Sequence, residues 1–338
     1  MKKIINKPEN FVDETIEGIL TAHSSHFKRP NNGKRSLVRA KAPIKEKVAI
    51  ATGGGSGHLP IFLGYVGPGL ADGAAIGGVF SSPPAQEMLT VTDAVDSGKG
   101  VLYLYGNYSG DIMNFDMAAD MAADKGIEVK TTLVTDDVAS SPPEEKEDRR
   151  GIAGLYYAYK LAGAKAEQGA NLKEVKKVAD KAVENTRSMG VALTPCTIPE
   201  AGEPTFEIAK NEMEIGMGIH GEPGIQTTGL KSADELADIM THKVIEDLPF
   251  RRGDETSVLV NGLGATPPEE LYILYRKVDE ILDDQGIKIY KSFVGEYATS
   301  MEMKGASITL LRLDEELKNL LDRPYYSPFL PQTSRASK

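Results

Sequence analysis

The chain has 338 residues, 41% hydrophobic and 26% charged, which suffices for one large or two ordinary domains with buried cores and excludes global disorder. Its formal net charge is −10; an acidic surface repels phosphate backbones and anionic lipid heads, so neither nucleic acid nor a membrane surface is expected as a partner. One cysteine, Cys196, excludes an internal disulfide and points to a reducing compartment.

Lys2 and Lys3 are followed by no long apolar run, and no stretch reaches the length of a membrane span, so a cytoplasmic location is expected. Phe11, Val12, Ile16, Ile19 and Leu20 have the spacing of an amphipathic helix, and residues 27–46 read as a polar loop. Val48 to Ala51 is a short apolar run, read as a buried strand, that leads into Gly53-Gly54-Gly55-Ser56-Gly57-His58 and then a helix. Val101 to Tyr105 predicts a second strand, ending at Asn107-Tyr108-Ser109-Gly110-Asp111. A helix over 113–123 and a strand over 129–134, ending at Asp136-Asp137, follow. Strand, helix and strand in this alternation imply parallel strands with helices on both faces, and ligand-binding residues at the carboxyl ends of the strands. The three polar clusters all fall there.

Residues 136–150 have the composition of an exposed loop, and helices are expected over 152–168 and 173–188. A boundary between halves is expected near 185–200, giving domains 1–190 and 191–338. The second half predicts strands over 213–217, 257–260, 287–294 and 306–313, with helices over 232–245 and 269–282. The first of these strands ends at Gly218-Ile219-His220-Gly221-Glu222-Pro223-Gly224.

The glycine-rich run at 53–58 does not fit a dinucleotide fingerprint, because His58 stands where the third glycine should be. The chain contains no Gly-x-x-x-x-Gly-Lys-Ser/Thr phosphate loop. The run serves either a ligand or only the packing of a strand against a helix, and local sequence allows both. Of five histidines, His23, His26 and His242 read as surface or packing residues; His58 and His220 each follow a strand and sit among glycines, as site residues do. Neither has a His-x-x-x-His partner, and no metal site is expected. Asp111 is either a helix cap or a base, and Asp136-Asp137 read as solvated. Cys196 reads as an apolar filler. A carboxylate and two histidines on separate strand ends could serve one pocket; if phosphate is transferred there, another chain must bring it.

These motifs, with Phe80-Ser81-Ser82-Pro83, Arg149-Arg150-Gly151, Asn211-Glu212-Met213-Glu214 and Asn261-Gly262-Leu263-Gly264-Ala265-Thr266-Pro267, resemble in order those of the K subunits of dihydroxyacetone kinases over nearly the whole chain. The resemblance implies an α/β fold: two α/β domains with mixed, largely parallel sheets flanked by helices, in a homodimer. It implies that His220 bonds to the carbonyl carbon of a short ketose as a hemiaminal. Asp111 would be the base for the terminal hydroxyl, and His58 would assist by hydrogen bonding and proton transfer. Gly55, Ser56 and Ser82 would complete the substrate pocket. This chain would hold no cofactor; ATP or ADP with magnesium would sit on a separate, all-helical L subunit, in some systems recharged by a phosphotransferase component.

Two positions depart from the family pattern. A lysine commonly precedes Asn-Tyr-x-Gly-Asp, and here that residue is Gly106. The glycine-rich motif commonly continues His-Glu-Pro, and here it reads His58-Leu59-Pro60. The lost cation makes room for a larger ketose such as erythrulose. The rival reading is a ketose-binding sensor or coactivator of a transcription regulator, without kinase activity.

Overall fold

The computed structural model describes residues 2–330. Along the chain these form α1 (Phe11–Ala22), β1 (Phe27–Lys28), β2 (Ser36–Arg39), β3 (Ala49–Ser56), β4 (Gly73–Val79), α2 (Ala85–Val95), β5 (Val101–Gly106), α3 (Ser109–Ala123), β6 (Val129–Val134), α4 (Leu155–Glu167) and α5 (Leu172–Glu184). There follow β7 (Thr186–Thr194), β8 (Glu212–Ile215), β9 (Gln226–Gly229), α6 (Ala233–Asp247), β10 (Glu255–Gly262), α7 (Pro268–Gln285), β11 (Lys288–Gly295), β12 (Lys304–Leu313) and α8 (Glu315–Leu321). The chain divides into two compact units, one from residues 2–133, 158–181 and 319–330, the other from 134–157 and 182–318. Residue 190, where a single domain boundary was expected, lies within β7 in the second unit.

The first sheet has six strands in the order β1-β2-β4-β3-β5-β6. β3 pairs parallel with β4 and with β5, while β1–β2 and β2–β4 are antiparallel. All six residues of β5 are buried, as a strand covered on both faces requires. Val38, Ala51, Met88, Val91, Tyr103 and Phe115 belong to the core of this unit. Each buried aliphatic side chain of Val or Leu size contributes roughly 1.5–3 kcal/mol.

The second sheet runs β11-β10-β12-β7-β8-β9. Only β10–β11 is parallel; the other pairs are antiparallel. Both sheets are therefore mixed and flanked by helices, as expected, with the parallel pairing concentrated at the centre of the first. Val191, Met213, Met240, Val258, Leu274 and Ile308 belong to the core of the second unit. α6 starts with a capping box between Ser232 and Glu235. α7 stops at Gly286, whose left-handed backbone suits a helix end.

Four expectations are corrected. Residues 27–46 are not only a polar loop: they contain β1 and β2, and Phe27, Leu37 and Val38 are buried. No α-helix follows the glycine run, which is itself the end of β3 and continues into a turn and a short 3₁₀ turn at Leu63–Tyr65. The helix expected to reach residue 188 ends at Glu184, because Thr186 to Ser188 join the sheet opposite Leu311 to Thr309. The 136–150 segment is not simply exposed. Asp136, Asp137 and Arg149 are buried, and each is satisfied by polar partners described below.

Candidate functional site

In the first unit the end of β3 carries the glycine-rich motif. Gly55 is buried so tightly that a Cβ there would lie 2.7 Å from the backbone of Phe80 and Ser81. Ser56 is half-buried, and its carbonyl accepts the Phe80 N–H at 3.1 Å. His58 is 1% exposed, and its ring stacks on Phe80 with centroids 4.7 Å apart. Phe80 itself has φ of 55°, a left-handed conformation that bulky residues seldom adopt. The turn at residues 80–82 therefore holds the glycine run in place.

The same turn reaches α3. Asn114 Nδ2 donates to Ser82 Oγ at 3.1 Å, and Gly110 lies against the Ser82 side chain. Asp111 is the third residue of α3 and is 7% exposed. It is not the helix cap that sequence alone allowed: that position is Tyr108, which makes no side-chain cap. A carboxylate in a first helical turn is favoured by the partial positive charge of the helix start. Its charge is felt by two phenols. Burial, then the Asp116 and Asp111 carboxylates, push the Tyr105 hydroxyl well above its ordinary value. Burial also raises Tyr159, against a 2.7 Å hydrogen bond with Thr52 and with Asp111 adding to the rise. The turn at 80–82 thus touches Gly55, Ser56 and His58 and, through Gly110 and Asn114, the start of the helix that carries Asp111.

In the second unit His220 lies on the loop that joins antiparallel β8 to β9, at the end of β8 as expected. Its side chain is 22% exposed. Ring Nδ1 lies 2.7 Å from Glu222 Oε1, and the His220 backbone N–H donates to Glu222 Oε2 at 2.9 Å. Burial pushes the Glu222 carboxyl upward, but these bonds and the charge of His220 overcome it and hold the group at about 2. Behind Glu222 stands Arg150, with Nη1 3.9 Å from Oε2. Arg150 is fixed by Asp137 (Nε–Oδ2 3.1 Å, Nη2–Oδ2 2.9 Å) and donates to the Gly216 carbonyl at 3.2 Å. Burial lifts Asp137 to about 7 despite Arg150. Gly218 keeps the lane open: a Cβ there would sit 2.1 Å from Glu222 Oε2 and 2.6 Å from Arg150 Nη1.

Sequence reasoning gave no role to Glu222 or Arg150, and it read Asp137 as solvated; Asp137 is 1% exposed. The signal was a carboxylate two residues after a histidine in a glycine-bounded loop. Asp136 is consumed structurally, accepting the backbone N–H of Ile152 and of Gly154, both at 2.8 Å. Arg149 is bidentate to Asp247 at 2.8 and 2.6 Å, and Arg187 binds the same carboxylate at 2.5 Å. Asn261 serves the fold, accepting the Tyr297 and Ala298 N–H at 2.8 Å each. Cys196 is buried, 3.6 Å from Ser300 Oγ. Among the described residues no group of three or more His, Cys, Asp or Glu could hold a metal ion, and no helix is long and apolar enough to cross a membrane.

Known proteins resemble this chain along its length. The Dak1 domain matches residues 17–329. The dihydroxyacetone-binding subunit of PTS-dependent dihydroxyacetone kinase 2 from Listeria innocua is 49% identical over 97% of this chain and 99% of its own. L-erythrulose 1-kinase from Mycolicibacterium smegmatis is 41% identical over 97% of this chain, which spans 58% of that longer protein. Among solved structures, a dihydroxyacetone kinase operon co-activator superposes with a TM-score of 0.85 at 30% identity, over 93% of this chain and 96% of its own. With the match extending from residue 17 to residue 329, the chain belongs to the Dak1 domain family.

Proposed function

We propose that this chain is the substrate-holding subunit of a dihydroxyacetone-type kinase, and that it captures a short ketose as a hemiaminal on His220. The observation that carries the reading is an imidazole presented on a glycine-bounded loop with one ring nitrogen engaged by a carboxylate. A neutral imidazole nitrogen adds to a ketone, while a polyol such as glycerol offers it no electrophilic carbon. Capture thus selects ketones beyond what hydrogen bonds to hydroxyls achieve.

Asp111 then takes the proton of the terminal hydroxyl, whose oxygen attacks phosphorus. His58 assists the proton transfer, and Gly55, Ser56 and Ser82 shape the pocket. The phosphoryl group comes from ATP, or from ADP recharged by a phosphotransferase component, held with magnesium on a separate L subunit. The absence of a phosphate loop from this sequence supports that division of labour. So does the kinship with a subunit named for binding dihydroxyacetone. The chain acts as a homodimer.

Gly106 in place of the family's lysine, and kinship with an erythrulose kinase, favour a pocket that accepts erythrulose as well as dihydroxyacetone. The test is phosphorylation of each ketone by this chain with ATP and a cognate L subunit. Turnover should require both proteins and vanish in H220A; a strong preference for the triose would remove the erythrulose part. The second reading, a ketose-binding coactivator, is supported by the likeness to an operon co-activator. A pull-down that recovers a transcription regulator and no L subunit would favour it.

A further inference from the structure

The loop at 216–224 holds more than the capturing histidine. Three groups stand in line behind the His220 ring: the Glu222 carboxylate, the Arg150 guanidinium and the buried Asp137. Glu222 uses both oxygens on one residue, Oε1 on ring Nδ1 and Oε2 on the backbone N–H, so the ring is fixed relative to its own main chain. Arg150 is 14% exposed and held from behind by Asp137 and the Gly216 carbonyl. Gly218 is bare where a methyl group would displace both Glu222 and Arg150.

We propose that Glu222 is a positioning residue for ketone capture: it selects the ring tautomer whose lone pair is on Nε2, and Arg150, anchored by Asp137, sets the orientation of Glu222. The inference rests on the reading of His220 as the capturing residue. A carboxylate can only accept, so Nδ1 must carry the hydrogen that faces it, and Nε2 is the nucleophile. On capture the Nε2 lone pair forms the new C–N bond. The C=O π pair moves to the oxygen, which takes a proton from solvent, and the ring becomes cationic beside an ionised carboxylate. Glu222 therefore favours both the reactive tautomer and the charged adduct. Without it the hydrogen can move to Nε2, where it blocks attack.

The test uses the full-length protein and dihydroxyacetone labelled with ¹³C at the carbonyl. In the unaltered protein the carbonyl resonance should give way to that of a tetrahedral carbon, and ¹⁵N spectra of the His220 ring should show the Nδ1–H tautomer. E222A should weaken capture about tenfold to hundredfold, the scale of losing a hydrogen bond to a charged group. Its ring spectrum should shift toward the Nε2–H form. E222Q, nearly isosteric, guards against loss of fold: its amide offers one acceptor where two bonds need one, so capture should weaken here too. G218A and R150M should weaken it by several-fold, with thermal unfolding measured alongside. Capture within twofold of the unaltered protein in both E222A and E222Q, with the tautomer unchanged, overturns the role of Glu222. No tetrahedral resonance in the unaltered protein overturns the reading of His220 and this inference with it.

Discussion

His58 and His220 are both set among glycines after strands, yet their surroundings differ. His58 is 1% exposed and tightly packed, with its ring stacked on Phe80 and the backbone of residues 80–81 pressed against Gly55. His220 is 22% exposed and kept in place by charge, through Glu222, Arg150 and Asp137. The first lies where parallel strands end, and the second on a hairpin loop between antiparallel strands. Packing tolerates little change in volume, whereas a line of charged groups tolerates changes in volume better than changes in charge. The two regions should therefore fail differently.

The largest effect should come from Asp111. D111N should lower kcat for ketose phosphorylation by about 10²- to 10⁴-fold, the range for a general base, while the tetrahedral ¹³C signal persists. H220A should remove that signal. A loss of capture in D111N would mean that the two roles are not separable. Next is the charge cluster of the second unit. D247A leaves Arg149 and Arg187 buried without their shared carboxylate and should destabilise folding by about 3–5 kcal/mol in denaturant titrations. A cost near 1 kcal/mol would show that charge holds this unit less than the geometry indicates.

G55A tests shape in the first unit. The added methyl must push the 80–81 backbone aside, costing about 1–3 kcal/mol in stability, and it should lower activity by moving Phe80 off His58. The smallest effect concerns pH. The folded pKa of Glu222, about 2, lies below its ordinary 4.5, so its stabilisation is complete above about pH 4.5 and is lost as pH falls toward 2. E222Q should lack that part of the acid limb of the Tm–pH curve, by under about 1 kcal/mol after solvent screening. An identical limb in the variant would remove Glu222 as its source.

Much of the architecture was legible. Apolar runs such as Val101 to Tyr105 and Ser257 to Val260 announced buried strands, and the helical spacing around Phe11 to Leu20 and Glu269 to Leu282 held. β4 was not legible: Gly73 to Val79 is mostly glycine and alanine with little periodicity, and it is a strand because it lies between β2 and β3. The glycines of β3 misled in the same way, since low strand propensity was overridden by pairing with β4. Among site residues, His58, Asp111 and His220 stood out because each follows shortly after an apolar run read as a strand. Asp137 and Arg150 did not, because in sequence they frame a segment rich in Pro and Glu that reads as solvated. They pair with each other across 13 positions of chain, which no local pattern reveals.

The route of the backbone has a consequence for anyone who would take this protein apart. The chain passes between the two units four times, after residues 133, 157, 181 and 318. A gene cut at any one of these points yields fragments that each lack part of a folded unit. Neither half can be excised, swapped into a relative or expressed alone by choosing a single breakpoint; a transplantable cassette would need its severed ends rejoined in a new order.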